Sequence, residues 1–546
     1  MHQWEVFEAS IQVPHGGRAP FRDLVVVGEF DGPSGTFKVP GFWDGDEVWR
    51  VRFSPGGVGP WRYTIRVHAA GPILRTNVAF GGGDRNKATE TPLVNVHEGQ
   101  FICVPYTGTN PLFCRGPVRP SRNGRHLEHA DGTPFFWLAD TVWNGPMLAT
   151  ANEWEYYVRV RAQQGFTVAQ YVSTQWRTAP DGGPDGPAFT TAADGRLATI
   201  NPPFFRRLDA RLAMLARSGL VGAPVLLWAI GGGEGAHMNP GHILSEQDCI
   251  DLARYQVARW QAYPVCWILN GDGRYTGESA ARWQRIGQAV FAEVAHDRDR
   301  APVATHPGGQ QWVGAEFGAE PWLDVIGYQS GHGDDERAWR WITEGPPAAE
   351  WRHVHGKAVI NLEPCYEDHL AYQSRSRITP EYVRRACYWS LLVTPTAGIT
   401  YGGHGVWGWD DGSGPPVAHP NTGTAKAWRE ALFLPAAQHM RHLADCFADI
   451  SWWTLRPDPS LLRYQPGEGD VLSFVTAARS EDGKLAVFYL PAGNTIQLDL
   501  SNLADGLRAT WVNPRDGTRA TPVALSKPEV TLTAPDAYDW LLVIAT

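Results

Sequence analysis

Two carboxylates occur where they could act together on one small substrate. Asp272 follows an apolar run at 265–270, and Glu363 lies near the end of another apolar run at 358–364. If these runs are the fourth and seventh strands of one barrel, they face each other across its mouth. Cleavage of a glycosidic bond requires such a pair, because one acid protonates the leaving oxygen while the other stabilises or attacks the oxocarbenium-like centre. The two positions therefore indicate glycosidic-bond chemistry.

Other kinds of site are not indicated. The chain has no HExxH motif, no His and carboxylate cluster at metal-ligand spacing, and no G-x-S-x-G motif. A metal hydrolase and a serine hydrolase are therefore disfavoured, and we expect no metal and no cofactor. A purely structural role stays open for each carboxylate. Asp272 lies in NGDG, which is typical of a turn, and Glu363 could be a buried acid paired with an arginine.

Further polar and aromatic side chains come at predicted strand ends, where a barrel places its active site. Polar groups at these ends cost desolvation free energy unless they serve a purpose. For Asp140 a helix-capping role is the alternative, and for the tryptophans, Trp176 included, a plain core role is the alternative. The expected substrate-binding residues are Asp140, Trp143, Gln175, Trp228, Asn270, His306, Gln329, His332, Tyr366, Tyr401, His404 and Trp407.

The elements that must position these residues alternate along the middle of the chain. Strand-like apolar runs occur at 134–140, 167–174, 223–230, 265–270, 302–307, 324–330, 358–364 and 398–403. Helical patterns occur at 152–165, which begins with Asn152 as its expected cap, and at 204–219, 245–263, 281–295 and 380–393. Eight strands, most of them followed by a helix, predict a (β/α)₈ TIM barrel. A doubly wound sheet is the alternative, but neither GxGxxG nor GxxxxGK[ST] follows the first strand.

The two ends of the chain show β patterns without helical periodicity. Short strand-like runs separated by Gly, Pro and Asp clusters are typical of a β-sandwich. We predict an N-terminal β-sandwich at 1–95, a linker at 96–124, the barrel at 125–450 and a C-terminal β-sandwich at 451–546. The C-terminal strands are expected at 461–466, 471–478, 484–491, 495–500, 508–514, 529–534 and 539–545. We expect these domains to pack on the barrel; binding of polysaccharide is the alternative.

The composition of the chain limits the classes of partner that we expect. The 546 residues carry 48 Lys and Arg against 57 Asp and Glu, and this net charge of −9 argues against nucleic acid or an anionic membrane. The 25 tryptophans suit stacking on sugar rings as well as core packing, so we expect a carbohydrate partner. No membrane span or signal peptide is visible in the sequence, which predicts a cytoplasmic protein, although a clipped signal would look the same. A homo-oligomer is compatible with the sequence.

Several motifs together resemble the apiosidase-like glycoside hydrolases, family 140 and relatives. They are WLADTVWN (137–144), WILNGDGR (267–274), YQSGH (328–332), INLEPCYE (360–367) and ITYGGHGVWGW (399–409). The resemblance extends to the β-domains, through 42–65 at the N-terminus and through 485–491 and 511–517 at the C-terminus. It implies exo-acting release of a terminal furanose-type sugar, with apiose the first substrate to test. It also implies that Asp272 is the general acid/base and Glu363 the nucleophile.

One departure from the wider superfamily affects the mechanism. Two-carboxylate barrels usually carry Asn-Glu at the fourth strand, whereas this chain has Asn270-Gly271-Asp272. The shorter aspartate could widen the carboxyl gap by up to ~1.5 Å. A gap of about 5–5.5 Å means retention and one of about 6.5–9.5 Å means inversion; we expect retention. The alternatives are another exo-glycosidase such as an arabinofuranosidase, or a non-catalytic carbohydrate-binding protein.

Overall fold

A sheet of eight parallel strands forms the centre of the computed structural model, which describes residues 1–14, 19–69, 93–291 and 300–546. Its strand order is β7-β6-β5-β4-β3-β2-β1-β8, and the sheet nearly closes into a barrel. The predicted TIM barrel is therefore confirmed, and each of the eight expected strands is present. The strands are β1 (Trp137–Thr141), β2 (Val168–Val172), β3 (Val221–Leu227), β4 (Trp267–Asn270), β5 (Val303–Ala304), β6 (Val325–Gln329), β7 (Ala358–Glu363) and β8 (Gly398–Tyr401).

Helices connect the strands on the outside of the barrel. The longer ones are Ala151–Gln163, Pro202–Arg217, Glu246–Trp260, Gly277–Phe291, Glu336–Thr343, Pro380–Leu392 and Pro435–Ala448. Single turns are Gly145–Leu148, Pro240–Ile243, Gly314–Phe317, Pro346–Glu350 and Trp428–Ala431. The predicted end of the fourth helix, 292–295, lies outside the described residues. Nowhere in the described ranges is a helix both long and apolar enough to span a membrane.

The first helix begins earlier than predicted. Its N-cap is Thr150, not Asn152, because Thr150 and Glu153 form a capping box. The Thr150 hydroxyl accepts from the Glu153 backbone N–H at 3.3 Å, and the Glu153 carboxylate accepts from the Thr150 N–H at 3.0 Å. This reciprocal pair satisfies two free donors at the helix start, so the expected cap by Asn152 is wrong.

Two antiparallel sheets make up the N-terminal domain. One contains Phe7–Gln12, Val48–Phe53 and Phe42–Trp43; the other contains Gly35–Pro40, Leu24–Gly32, Gly59–Ala69 and Leu93–Cys103. The last strand extends beyond residue 95, where we placed the start of the linker, and pairs with Gly59–Ala69. A small sheet of Val118–Pro120, Leu127–His129 and Pro134–Phe135 precedes the barrel.

The C-terminal domain is also built from β-strands. Its main sheet has the order Leu455–Pro457, Thr476–Ser480, Ala486–Leu490, Trp540–Ala545, Arg508–Val512 and Val523–Ala524, and a second sheet pairs Thr495–Asp499 with Glu529–Thr533. The predicted strand at 461–466 is wrong, because this segment lies between two short 3₁₀ turns that start at Pro459 and Pro466. Proline has no N–H to donate to a ladder, which disfavours a strand here.

A buried ion pair joins the N-terminal domain to the barrel. Asp209 on the helix Pro202–Arg217 accepts from Arg52 of the N-terminal domain at 2.7 Å and from Arg259 of the next barrel helix at 2.7 and 2.8 Å. The Trp260 indole N–H also donates to Asp209, at 2.7 Å. All four side chains are buried. Because buried charges are stable only when paired, this carboxylate fixes how the two domains meet.

The substitution Asp209→Asn should destabilise the protein by about 3 kcal/mol, because it leaves two buried arginines short of a counter-charge. The free energy of urea-induced unfolding measures this. Asp505→Asn is the matched control, since Asp505 pairs with Lys527 at 3.1 Å while its side chain is 93% exposed, and it should change stability little. An Asp209→Asn variant as stable as wild type would contradict the interpretation of this ion pair.

Candidate active site

Asp272 and Glu363 meet at the carboxyl end of the barrel. Glu363 is the last residue of β7, and Asp272 lies two residues after β4. One oxygen of each carboxylate lies within 4.8 Å of an oxygen of the other. Both residues line a cavity of about 960 Å³. Cavities of roughly 300–1,000 Å³ are the usual size for small-molecule sites, so this one can take more than a single small group.

Asp272 is held by an amide and faces a guanidinium. Gln329 at the end of β6 donates from Nε2 to Asp272 Oδ1 at 2.5 Å and to the Pro307 carbonyl at 2.7 Å. Arg177 Nη2 lies 3.9 Å from Asp272 Oδ2. Burial, reinforced by the negative charge of Glu363, raises the pKa of Asp272 to about 7, although Arg177 and Gln329 oppose this rise. Asp272 can therefore carry a proton near neutral pH.

Glu363 accepts a hydrogen bond from a histidine whose tautomer is fixed. The Tyr366 backbone N–H donates to His332 Nδ1 at 3.2 Å, so this nitrogen carries no proton. Burial lowers the pKa of His332 to about 3, which keeps the ring neutral. The remaining proton is on Nε2, 3.1 Å from Glu363 Oε1, and is donated to the carboxylate. His332 thus supports the ionised form of Glu363 without adding a net charge.

Tyr366 gives Glu363 a second contact. Its hydroxyl hydrogen-bonds Glu363, and it accepts from the Trp143 indole N–H at 3.1 Å. Burial raises the pKa of Glu363, while the charge interaction with His306, the Tyr366 hydrogen bond and the charge of Arg177 oppose that rise. Glu363 is therefore surrounded by groups that favour its anionic state, whereas Asp272 lies next to that anion and favours its protonated state.

His306 lies between the two carboxylates. Its Nδ1 is 3.9 Å from Asp272 Oδ1, and its Nε2 is 3.4 Å from Glu363 Oε2. The ring is fully buried, and burial lowers its pKa. Asp272, His306 and Glu363 together offer one nitrogen and two oxygen ligand atoms within 4.8 Å of one another, so these three residues could also hold a metal ion. Our expectation of a metal-free site stays a prediction.

Four tryptophans form one wall of the cavity: Trp143, Trp176, Trp228 and Trp407. Each is at most 3% exposed, so the wall is packed and offers little of its ring faces. Within the described residues, the indole N–H groups of Trp228 and Trp407 are buried without a hydrogen-bond partner. A buried donor left unpaired costs free energy, and because both groups are buried in the packed wall, a ligand in the cavity does not reach them.

Six of the twelve expected substrate-binding residues line this cavity with the carboxylates: Trp143, Trp228, Gln329, His332, Tyr366 and Trp407. His306 lies directly beside the pair, although its own surface is closed off. Asn270 is fully buried at the end of β4, and its side-chain amide has no partner within the described part of the chain.

Asp140 and Tyr401 lie on the outside of the barrel, which corrects their expected contact with substrate. Asp140 accepts from Arg161 Nε and from the Tyr157 hydroxyl, both at 2.7 Å, on the helix Ala151–Gln163. The Tyr401 hydroxyl donates to Glu367 at 2.8 Å. Successive side chains of a strand point to opposite faces, so a residue near a strand end can still face away from the cavity.

Gln175 and His404 also lie away from the cavity lining. The Gln175 amide accepts from the Ala188 N–H at 2.9 Å and donates to the Phe189 carbonyl at 3.0 Å, so it holds a loop after β2. The buried His404 ring packs against His369, with ring centroids 5.3 Å apart. Neither residue lines the cavity, where we expected both to bind substrate.

Several cavity residues were not expected from the sequence: Arg177, Tyr275, Arg282, His369, Tyr372 and His419. Arg177 Nη2 lies 2.8 Å from His419 Nε2. His419 Nδ1 lies 3.1 Å from the Val417 carbonyl, which can only accept, so Nδ1 carries the proton and Nε2 accepts from Arg177. The only sequence signal for Arg177 is its position directly after Trp176. His419 lies far along the loop that follows β8, where the periodicity of strand residues cannot predict which side chains reach the cavity.

Three family models match the chain. Residues 121–454 match the apiosidase-like catalytic domain, residues 1–68 match a domain of unknown function called DUF5060, and residues 457–545 match a collagen-binding-like domain. No curated protein matches the chain. The resemblance seen in the sequence motifs is thus confirmed over the barrel.

Solved structures share the fold. A glycoside hydrolase family 5 protein from Bacteroides vulgatus is 22% identical with a TM-score of 0.66, over 80% of this chain and 95% of its own. A structure named glycoside hydrolase is 22% identical with a TM-score of 0.65, and the match covers 80% of this chain and 98% of that one. The apiosidase-like model covers more than half of the sequence. The chain therefore belongs to the apiosidase-like family of glycoside hydrolases.

Proposed function

We propose that this protein is an exo-acting, retaining glycosidase in which Asp272 is the general acid/base and Glu363 the nucleophile. The observation that carries the proposal is the approach of the two carboxylates, whose oxygens come within 4.8 Å of one another at the cavity. Retaining enzymes hold their carboxyl groups about 5–5.5 Å apart, while inverting enzymes need about 6.5–9.5 Å to admit a water. The closest oxygens of the two carboxylates approach within 4.8 Å, which fits the retaining arrangement.

The first step breaks the glycosidic bond. Asp272, protonated because burial and Glu363 raise its pKa to about 7, gives its proton to the leaving oxygen. Glu363 attacks the anomeric carbon from the other face and forms a glycosyl ester as the C–O bond to the leaving group breaks. The hydrogen bond from His332, 3.1 Å away, orients the attacking carboxylate. The charge on Asp272 that results from proton transfer lies 3.9 Å from Arg177.

The second step releases the sugar. Asp272, now ionised, removes a proton from a water molecule that attacks the same anomeric carbon, and the bond to Glu363 breaks. Loss of the ester returns Glu363 to its anionic form and Asp272 to its protonated form, so the pair is ready for another cycle. Two inversions at one carbon give net retention.

A contact between two loops supports exo action. Arg177 follows β2 and His419 follows β8, and these strands flank β1 in the sheet. Their side chains are joined by a hydrogen bond of 2.8 Å, and both residues line the cavity. We take this link between two loops as a barrier to a continuing sugar chain, which favours a terminal residue as substrate.

The choice of sugar rests on family membership. An apiosidase-like catalytic domain makes terminal apiose in β-linkage the first substrate to test, with arabinofuranose next. Fold and catalytic pair alone do not fix the sugar.

Substitution of either carboxylate should abolish most activity. We expect Asp272→Asn to lower kcat/KM on glycosides with a sugar leaving group by about 10²–10⁴-fold, and less on aryl glycosides, whose leaving groups need less protonation. Glu363→Gln should fail on both kinds, because no nucleophile remains. Hydrolysis of a panel of furanosides measures this.

The matched control for that panel is Asp410→Asn. Burial and Asp411 raise the pKa of Asp410 to about 7, yet Asp410 lies outside the cavity lining, so this variant should keep wild-type activity. Full activity in both Asp272→Asn and Glu363→Gln would refute the site. A wild-type protein that binds sugars but cleaves none of the panel would favour the non-catalytic alternative.

Activity should decline above about pH 7, as Asp272 loses its proton.

Arg177 favours the ionised forms of both Asp272 and Glu363, so its charge lowers both pKa values. Arg177→Met should therefore raise the pKa values of both carboxylates and move the whole pH profile of kcat/KM to higher pH. His419→Leu, which loses the acceptor for Arg177, should move it the same way, while His419→Gln keeps an acceptor and should move it less. Profiles unchanged by Arg177→Met would contradict this role.

A further inference from the structure

Tyr372 presents an open aromatic ring at the catalytic cavity. In the described ranges, it is the only exposed large hydrophobic residue that lines this cavity, and it is 57% exposed. The four tryptophans of the wall are each at most 3% exposed. A ligand can therefore stack on the Tyr372 ring, whereas the tryptophan wall offers it little ring surface.

The ring is held next to the nucleophile's hydrogen-bond partner. The Tyr372 backbone N–H donates to the His332 carbonyl at 3.0 Å. The Tyr372 ring packs edge-to-face on His332, with centroids 5.4 Å apart at 80°, and on His369, at 6.1 Å and 78°. Since His332 donates to Glu363, the ring lies one residue away from the catalytic carboxylate.

The loop that carries Tyr372 is tied to its neighbours on both sides. Gln373 Oε1 accepts from the Asp334 N–H at 3.1 Å, and the Ser374 N–H donates to the Asp334 side chain at 3.2 Å, on the loop after β6. Arg375 donates to the Asn421 carbonyl at 2.6 Å, on the loop after β8. These bonds fix the ring before a ligand binds, so little conformational entropy is lost on binding.

We propose that Tyr372 is the stacking platform of a subsite for the leaving group, and that this leaving group is itself a sugar residue. The inference rests on the proposed exo-glycosidase function. Tyr372 lines the same cavity as Asp272 and Glu363, so a second ring attached to a terminal sugar at this pair can reach the exposed face of Tyr372. The apolar face of a pyranose or furanose suits an exposed aromatic ring.

The test compares two substrates with the same terminal sugar. One is methyl β-apiofuranoside, whose leaving group is too small to reach Tyr372; the other is a disaccharide with terminal β-apiofuranose. Tyr372→Ala should lower kcat/KM on the disaccharide by about 10- to 100-fold, mainly through KM, and leave the methyl glycoside within about twofold of wild type. Tyr372→Phe keeps the ring and should behave as wild type on both.

The matched control is Tyr538→Ala, since Tyr538 is 63% exposed in the C-terminal domain and should affect neither substrate. Equal losses on both substrates in Tyr372→Ala would overturn the inference in favour of a role through His332. An unchanged disaccharide rate would overturn it as well. Wild-type protein that cleaves neither an apioside nor an arabinofuranoside pair would refute the proposed function and, with it, the platform.

Discussion

Two carboxylates buried a few ångströms apart cannot both carry a negative charge at little cost, and the mouth of this barrel is arranged around that constraint. Asp272 and Glu363 lie within 4.8 Å of each other, so one proton is shared between them near neutral pH. The groups around each carboxylate determine which of the two holds the proton. Glu363 receives the His332 N–H and the Tyr366 hydroxyl, both from neutral groups, and this leaves the proton with Asp272.

The charge that remains on the pair faces the guanidinium of Arg177. Arg177 lies 3.9 Å from Asp272, and the neutral His419 holds it there from a different loop. The same hydrogen bond joins the loops that follow β2 and β8. Under the proposed function, the charge balance of the pair and the limit on substrate length both depend on this one contact.

Strand-end reasoning singled out Asp272 and Glu363 because apolar runs mark the barrel strands and each carboxylate comes at or just after such an end. It misplaced Asp140 because the two faces of a buried barrel strand are both apolar, so Asp140 looks no different from an inward residue. In the structure, side chains alternate between the two faces of β1, and Leu138 packs in a cluster with residues of the helices Pro380–Leu392 and Pro435–Ala448, outside the barrel. Asp140 comes two residues after Leu138 and therefore faces the same side of the strand.

Arg177, Tyr372 and His419 could not be predicted in the same way. They lie on loops, whose course depends on contacts between distant segments such as Arg375 with Asn421. No periodic pattern encodes such contacts. The flanking domains were easier, since short strands with turn signals marked both of them. The buried pairing of Arg52 with Asp209, which joins the first of them to the barrel, had no sequence signal.

The anomer of the first-formed product tests the account most directly. Proton NMR during the first minutes of hydrolysis of a β-apiofuranoside, before mutarotation, reports whether the anomeric configuration is kept. A carboxyl pair spaced for direct attack predicts the β-anomer of the free sugar as the first product. Release of the α-anomer would show that water attacks directly, and would contradict the assignment of Glu363 as the nucleophile.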